Sequence, residues 1–158
     1  MAKVTPIPDG YHSVTPYLIV DGASDAIAFY AKVFGTKERM RMPMPGGMGG
    51  HAAGALGDSV IMLADEFPDM GIRGPKTLGG SPVNIHIYVD DVDSVFQGAI
   101  EAGSKVLQPL EDKFYGDRAG QLEDPFGHIW SVATHVEDVP EEEMAKRAQA
   151  YAESGGTG

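Results

Sequence analysis

Cysteine is absent from the chain. That excludes a disulfide scaffold, thiolate catalysis, iron–sulfur ligation and zinc sites built on cysteine. Positive charge is scarce, with 12 Lys and Arg against 23 Asp and Glu and a formal net charge of −11. A field of that sign repels nucleic-acid phosphates and anionic headgroups, so neither nucleic acid nor a membrane is an expected partner. No apolar run approaches the roughly 18 residues of a membrane span. Met1-Ala-Lys-Val-Thr-Pro-Ile-Pro lacks the apolar region of a secretory signal, so a cytoplasmic location is expected. Hydrophobic residues nevertheless make up 42% of 158 residues, enough for one compact domain without staples. Glycine (21) and proline (11) are plentiful, which suits many short strands joined by turns.

Residues 14–20 read as a first strand, and Ser24 is a candidate N-cap. Ile27, Tyr30, Val33 and Phe34 recur at helical spacing before Gly35 stops the helix. The run from Met40 to Gly50, rich in Met, Pro and Gly, reads as irregular. Strands are expected at 51–56 and 59–64 around the Gly57-Asp58 turn, followed by a connection over 67–82. The opening pattern then returns. Residues 83–89 read as a strand, and Asp90-Asp91 offers a turn and cap. Val92, Val95, Phe96, Ala99 and Ile100 form a helical stripe ended by Gly103, and extended segments follow at 105–110, 118–123 and 128–134.

Val20-Asp21 recurs as Val89-Asp90, an offset of 89 − 20 = 69. Gly35-Thr-Lys recurs as Gly103-Ser-Lys, and the hairpin beginning at Gly54 matches the one beginning at Gly120. The chain is therefore read as an α+β protein of two βαβββ modules in tandem, 12–67 and 83–136. A C-terminal helix over 138–153 is announced by Asp138, Pro140 and Glu141-Glu-Glu, and residues 154–158 are expected to be disordered.

Strand alternation separates two faces. Leu18, Val20, Ile61, Leu63, Ile85, Ile87, Val89, Trp130 and Val132 form an apolar set suited to receiving the helices. The opposite set is Thr15, Tyr17, Val60, Met62, Asn84, His86, Tyr88, Ile129 and Ser131, apolar groups mixed with hydroxyls, an amide and an imidazole. A cavity wall has that composition. A solvated sheet face, or one buried in a dimer, is the alternative.

Particular elements carry a resemblance to a known family. They are Pro16-Tyr-Leu-Ile-Val-Asp, Ala26-Ile-Ala-Phe-Tyr-Ala-Lys-Val-Phe-Gly, Gly57-Asp-Ser-Val-Ile-Met-Leu, Tyr88-Val-Asp-Asp-Val-Asp and, most specifically, Glu123-Asp-Pro-Phe-Gly-His-Ile-Trp. Over about residues 12–147 the chain resembles the vicinal-oxygen-chelate superfamily, which includes glyoxalase I, bleomycin-resistance proteins and extradiol dioxygenases, and within it the PhnB-like branch. The resemblance implies curved sheets around a funnel and a homodimer. Metal-using relatives hold a divalent ion with His or Gln and Glu. Carried over, those positions fall on Thr15, Met62, Asn84 and Ser131, none of which matches. A thioether, an amide and two hydroxyls are poor partners for such an ion, so no metal and no other cofactor is expected at the usual place. A relocated site would draw on His86, His12 or His51, which no ligand spacing groups.

Arg118, in Tyr115-Gly-Asp-Arg, could clamp an anionic group, or Asp117 could pair with it and merely shape the turn. His128 is read as stabilising its turn and His135 as a surface group. The segment 40–50 could be a lid, a plain connection or a dimer contact. Two functions remain open. One is a binder of a small, partly apolar organic molecule, contacting Tyr17, Met62, Asn84, His86, Tyr88, Tyr115, Arg118 and Ser131. The other is an isomerase, lyase or epimerase of a small carbonyl compound, with His86 as base and Arg118 stabilising an enolate. A purely structural interaction module would not need a polar-studded inner face.

Overall fold

The computed structural model describes residues 3–43 and 50–156. Two compact units follow one another, the first ending at Ser81 and the second beginning at Pro82. Each carries a four-stranded mixed sheet, in the order β1-β4-β3-β2 in the first and β5-β8-β7-β6 in the second.

In the first unit β1 (Tyr17–Val20) leads into α1 (Ala23–Phe34), followed by β2 (Lys37–Met42), β3 (His51–Leu56) and β4 (Ser59–Asp65). β1 and β4 run parallel, and the remaining pairs are antiparallel. Leu18, Val20, Ile61 and Leu63 are buried with Ala26, Phe29, Tyr30 and Val33 of α1, so the apolar stripe of the helix meets the apolar strand face. Gly35 sits at φ 69° and ends α1 in the left-handed conformation a glycine adopts without strain. The connection to the second unit contains a 3₁₀ turn (Pro68–Met70) and one helical turn, α2 (Pro75–Leu78).

The second unit repeats the plan with β5 (Asn84–Tyr88), α3 (Val92–Glu101), β6 (Lys105–Asp112), β7 (Asp117–Glu123) and β8 (Ile129–His135). Trp130, Val132, Leu122 and Ile87 are buried with Val92, Phe96 and Ala99. Gly120 is the contact that lets α3 come close, because a Cβ there would lie 2.7 Å from a Phe96 ring carbon. The Asp-Pro-Phe-Gly-His turn is tied by Asp124, whose carboxylate accepts from Phe126 N, His128 N and the Trp130 indole at 2.8–3.0 Å.

The duplication keeps its register between the β1–β4 and β5–β8 pairs. Tyr17 pairs with Met62 and His86 with Ser131, the same offset of 69 on both strands. The helix N-termini correspond too. Asp65 accepts from the Gly22 and Ala23 amides, while Thr134 accepts from the Val92 amide at 3.0 Å.

Several expectations need correction. β2 extends through Met40 and Met42, so the irregular segment begins later; residues 44–49, on which the lid reading fell, lie outside the described residues. Ser24 lies inside α1, whose N-cap position is Gly22, and the capping oxygen comes from Asp65. Asp138 does not cap the last helix: α4 (Glu141–Glu153) starts after Pro140 without a side-chain cap. The counterpart of Gly120 is Ala52 rather than Gly54, because Gly120 pairs with Val132 as Ala52 pairs with Leu63. Residues 154–156 of the tail fold back on α4, with Tyr151 donating to Gly156 O at 2.8 Å.

Candidate functional site

Each sheet buries one face under its helix and leaves the other open. In the first unit the open face holds Tyr17, Met62, Ala53 and Met40 along one row of partners, and Ile19, Ala64, His51 and Met42 along the next. Tyr17 is 52% exposed. Its hydroxyl meets His51 Nδ1 at 3.1 Å, and the rings lie 5.4 Å apart. This face is apolar and thioether-rich, with one polar pair.

The second open face is more polar. Asn84, Ile129, Glu123 and Lys105 form one row, His86, Ser131, Gln121 and Gln108 the next, and Tyr88, Ala133, Ala119 and Glu111 a third. His86 Nδ1 and Ser131 Oγ are 2.9 Å apart, which fixes the imidazole. Among the described residues no protein group is assigned to His86 Nε2. The His86 and Tyr88 rings meet edge to face at 4.9 Å.

At the end of these rows lies a network that sequence reasoning missed. Asp117 is only 4% exposed. Its Oδ2 accepts from the Tyr88 hydroxyl at 2.8 Å, and its Oδ1 faces His135 Nδ1 at 2.7 Å. His135 Nε2 in turn faces Asp138 Oδ1 at 2.7 Å. Hydrogen bonds to Asp117 and then to Asp138 hold the His135 pKa above its ordinary value. The hydrogen bond to Asp117 likewise raises the Tyr88 phenol, with burial adding to it. The signal was present in the sequence. Asp117 and His135 stand at equal distances either side of Phe126, so a hairpin centred on that turn makes them ladder partners.

The expected site residues divide. Tyr17 and Met62 share the first open face, and Asn84, His86, Tyr88 and Ser131 share the second. Tyr115 follows β6 and lines a groove of about 540 Å³ with Phe114 and Tyr151 of α4. Burial first, then the Asp117 and Tyr151 charges, raise its pKa. Arg118 is not brought to either open face. It alternates with Asp117 and Ala119, pairs with Thr134 and Asp112, and donates to Asp93 of α3 at 2.9–3.2 Å and to Asp112 at 3.3 Å. Those two carboxylates raise its pKa further, and Arg118 holds the Asp93 carboxyl below its usual value. α4 is fastened by Arg147, which donates to Glu137 at 2.9 Å, Glu143 at 3.1 Å and the Phe114 carbonyl at 3.2 Å.

Thr15 and Met62 of the first unit and Asn84 and Ser131 of the second offer no carboxylate and no imidazole, and Ser131 Oγ lies 2.9 Å from His86 Nδ1. Among the described residues no group of three His, Asp or Glu side chains is arranged to hold a metal.

A profile described as the Glyoxalase/Bleomycin resistance protein/Dioxygenase superfamily matches residues 10–132. Uncharacterized proteins of Mycobacterium bovis and Mycobacterium tuberculosis are 44% identical over 135 residues, 84% of this chain and 89% and 79% of their own. Among solved structures, TioX from Micromonospora is 26% identical with a TM-score of 0.60, covering 79% of this chain and 99% of its own. The PhnB protein of Bacillus cereus (17% identity, TM-score 0.62, 78% and 99% coverage) shares the fold. So does the fosfomycin resistance protein FosX of Listeria monocytogenes with Mn(II) and sulfate (16%, 0.60, 87% and 97%).

Proposed function

The chain belongs to the Glyoxalase/Bleomycin resistance protein/Dioxygenase superfamily, and from that premise we propose that it binds a small, partly apolar organic molecule on its open sheet faces without the family's usual metal. The observation that carries this is the second open face. His86 and Tyr88 form an exposed aromatic corner whose polar atoms are oriented by Ser131 and Asp117. A sheet surface facing only water gains little from fixing exposed side chains in this way, whereas a binding wall needs oriented groups among apolar ones. Tyr17, Met40, Met42 and Met62 supply an adaptable apolar surface of the same kind. Arg118 then serves the fold, joining α3 to β7.

A titration of small aromatic fragments followed by backbone amide shifts tests this. Perturbations should centre on Asn84, His86, Tyr88, Gln121 and Ser131. Hits confined to the helix-covered sides of the sheets would overturn it.

The position of His86 Nε2 supports a second reading, catalysis with His86 as general base. For a substrate found by such a titration, His86→Ala separates the two. A binder keeps most of its affinity, and an enzyme loses about 10²-fold or more in turnover.

A further inference from the structure

We propose that the second unit's open face selects molecules that donate a hydrogen bond, an O–H or N–H group received by the phenolic oxygen of Tyr88, an inference that rests on the ligand-binding reading above. A phenol has one proton to give. Tyr88 gives its own to Asp117 Oδ2 at 2.8 Å. Asp117 is an acceptor there and not a donor, because its other oxygen meets His135 Nδ1 at 2.7 Å while His135 Nε2 meets Asp138 at 2.7 Å. An imidazole with a carboxylate at each nitrogen favours its doubly protonated form, whose Nδ1–H donates to Asp117 Oδ1 and leaves Oδ2 to accept from Tyr88.

Tyr88 is 60% exposed, and its hydroxyl is only partly buried where it meets Asp117. What it presents is lone-pair density alone. A ligand ether or carbonyl oxygen aimed at it would meet lone pair with lone pair, whereas a hydroxyl or amine would complete the chain. The neighbouring rows lean the same way. Glu111 shares the row of Tyr88, and Glu123 shares the row of Asn84 with Lys105 opposite it. Gln108 and Gln121, in the row between, can serve either role. The sequence shows Tyr88 as an undifferentiated phenol. Only the contact with Asp117 removes its donor half.

The pair 4-ethylphenol and 4-ethylanisole tests the proposal, since the two differ only by methylation of the hydroxyl. Affinities are read at pH 7 from amide shifts of the intact chain. The phenol should bind about 5-fold or more tightly than the anisole. In Tyr88→Phe, which keeps the ring and removes the phenolic oxygen, the ratio should fall to about 1. Asp117→Asn can donate its amide to the Tyr88 oxygen and release the phenolic proton, so it should move the preference toward the anisole. Equal binding of the two probes, or a ratio that survives Tyr88→Phe, overturns the donor selectivity and leaves ligand binding standing. Silence of both probes on this face at millimolar concentration counts against the selectivity and the binding together.

Discussion

His135 shows what a single side chain inherits from register. As an isolated residue near the end of a strand it reads as a surface group. In the fold it lies between a buried carboxylate and an exposed one. Its pKa is raised above 6.5 in the folded state. The native state therefore holds the proton more tightly than the unfolded chain, and the sign follows from linkage. The stabilisation is fully present below about 6.5 and is lost as pH rises through the higher folded value. The difference in melting temperature between wild type and His135→Gln should accordingly shrink as pH is raised from 6 to 9, measured by thermal denaturation at fixed ionic strength. A difference independent of pH would show that the imidazole is not charged between the two acids. Tyr17, His86, Tyr88 and Ser131 were legible from alternation alone, because a period of two assigns a face without any knowledge of partners. Asp117 was legible only as a turn residue. Its role needs the hairpin partner across β8, which periodicity along one strand does not supply.

At the scale of elements, the two helices begin in the same place by different chemistry. Asp65 receives the Gly22 and Ala23 amides on one oxygen and the Gly50 amide at 3.2 Å on the other. Thr134 receives the Val92 amide and passes its own proton to the Val89 carbonyl at 2.7 Å. The negative charge of Asp65 also faces the positive end of α1. Asp65→Ala should cost about 1–2 kcal/mol of unfolding free energy, and Thr134→Val about 1 kcal/mol, by urea denaturation. A neutral Asp65→Ala would mean that water replaces the cap at no loss. Sequence reasoning placed both helices well because their apolar stripes and terminal glycines are local signals. It misplaced the α1 cap because the capping oxygen lies at the end of β4, far along the chain. β2 runs beyond its own sequence signal for a related reason. Met and Pro gave no strand pattern of their own, and the strand exists through its pairing with β3, where Met40 meets Ala53 and Met42 meets His51. Asp138 reads in sequence as a helix cap, whereas its carboxylate serves His135.

Across the whole molecule, one plan is built twice with different side chains on the open faces. The first is apolar and thioether-rich. The second carries the hydrogen-bonded corner of His86, Ser131, Tyr88 and Asp117. The duplication was visible as an offset of 69 between matching segments, and the ladders keep that offset between β1 and β5 and between β4 and β8. Its one misalignment arose where the two hairpins turn differently, with two residues between Leu56 and Ser59 but five between Glu123 and Ile129. The positions Thr15, Met62, Asn84 and Ser131 carry hydroxyl, thioether and amide groups, and the proposal is that the chain binds its ligand without an ion held there. The most direct measurement is a thermal-shift screen of small organic compounds, run once in EDTA and once with manganese, nickel or zinc. Saturable stabilisation by at least one compound class in EDTA, unchanged by the ions, largely kept in His86→Ala and weakened in Tyr88→Phe, is the expected result. Stabilisation that occurs only when an ion is supplied and is abolished by Asn84→Ala or Ser131→Ala would contradict it.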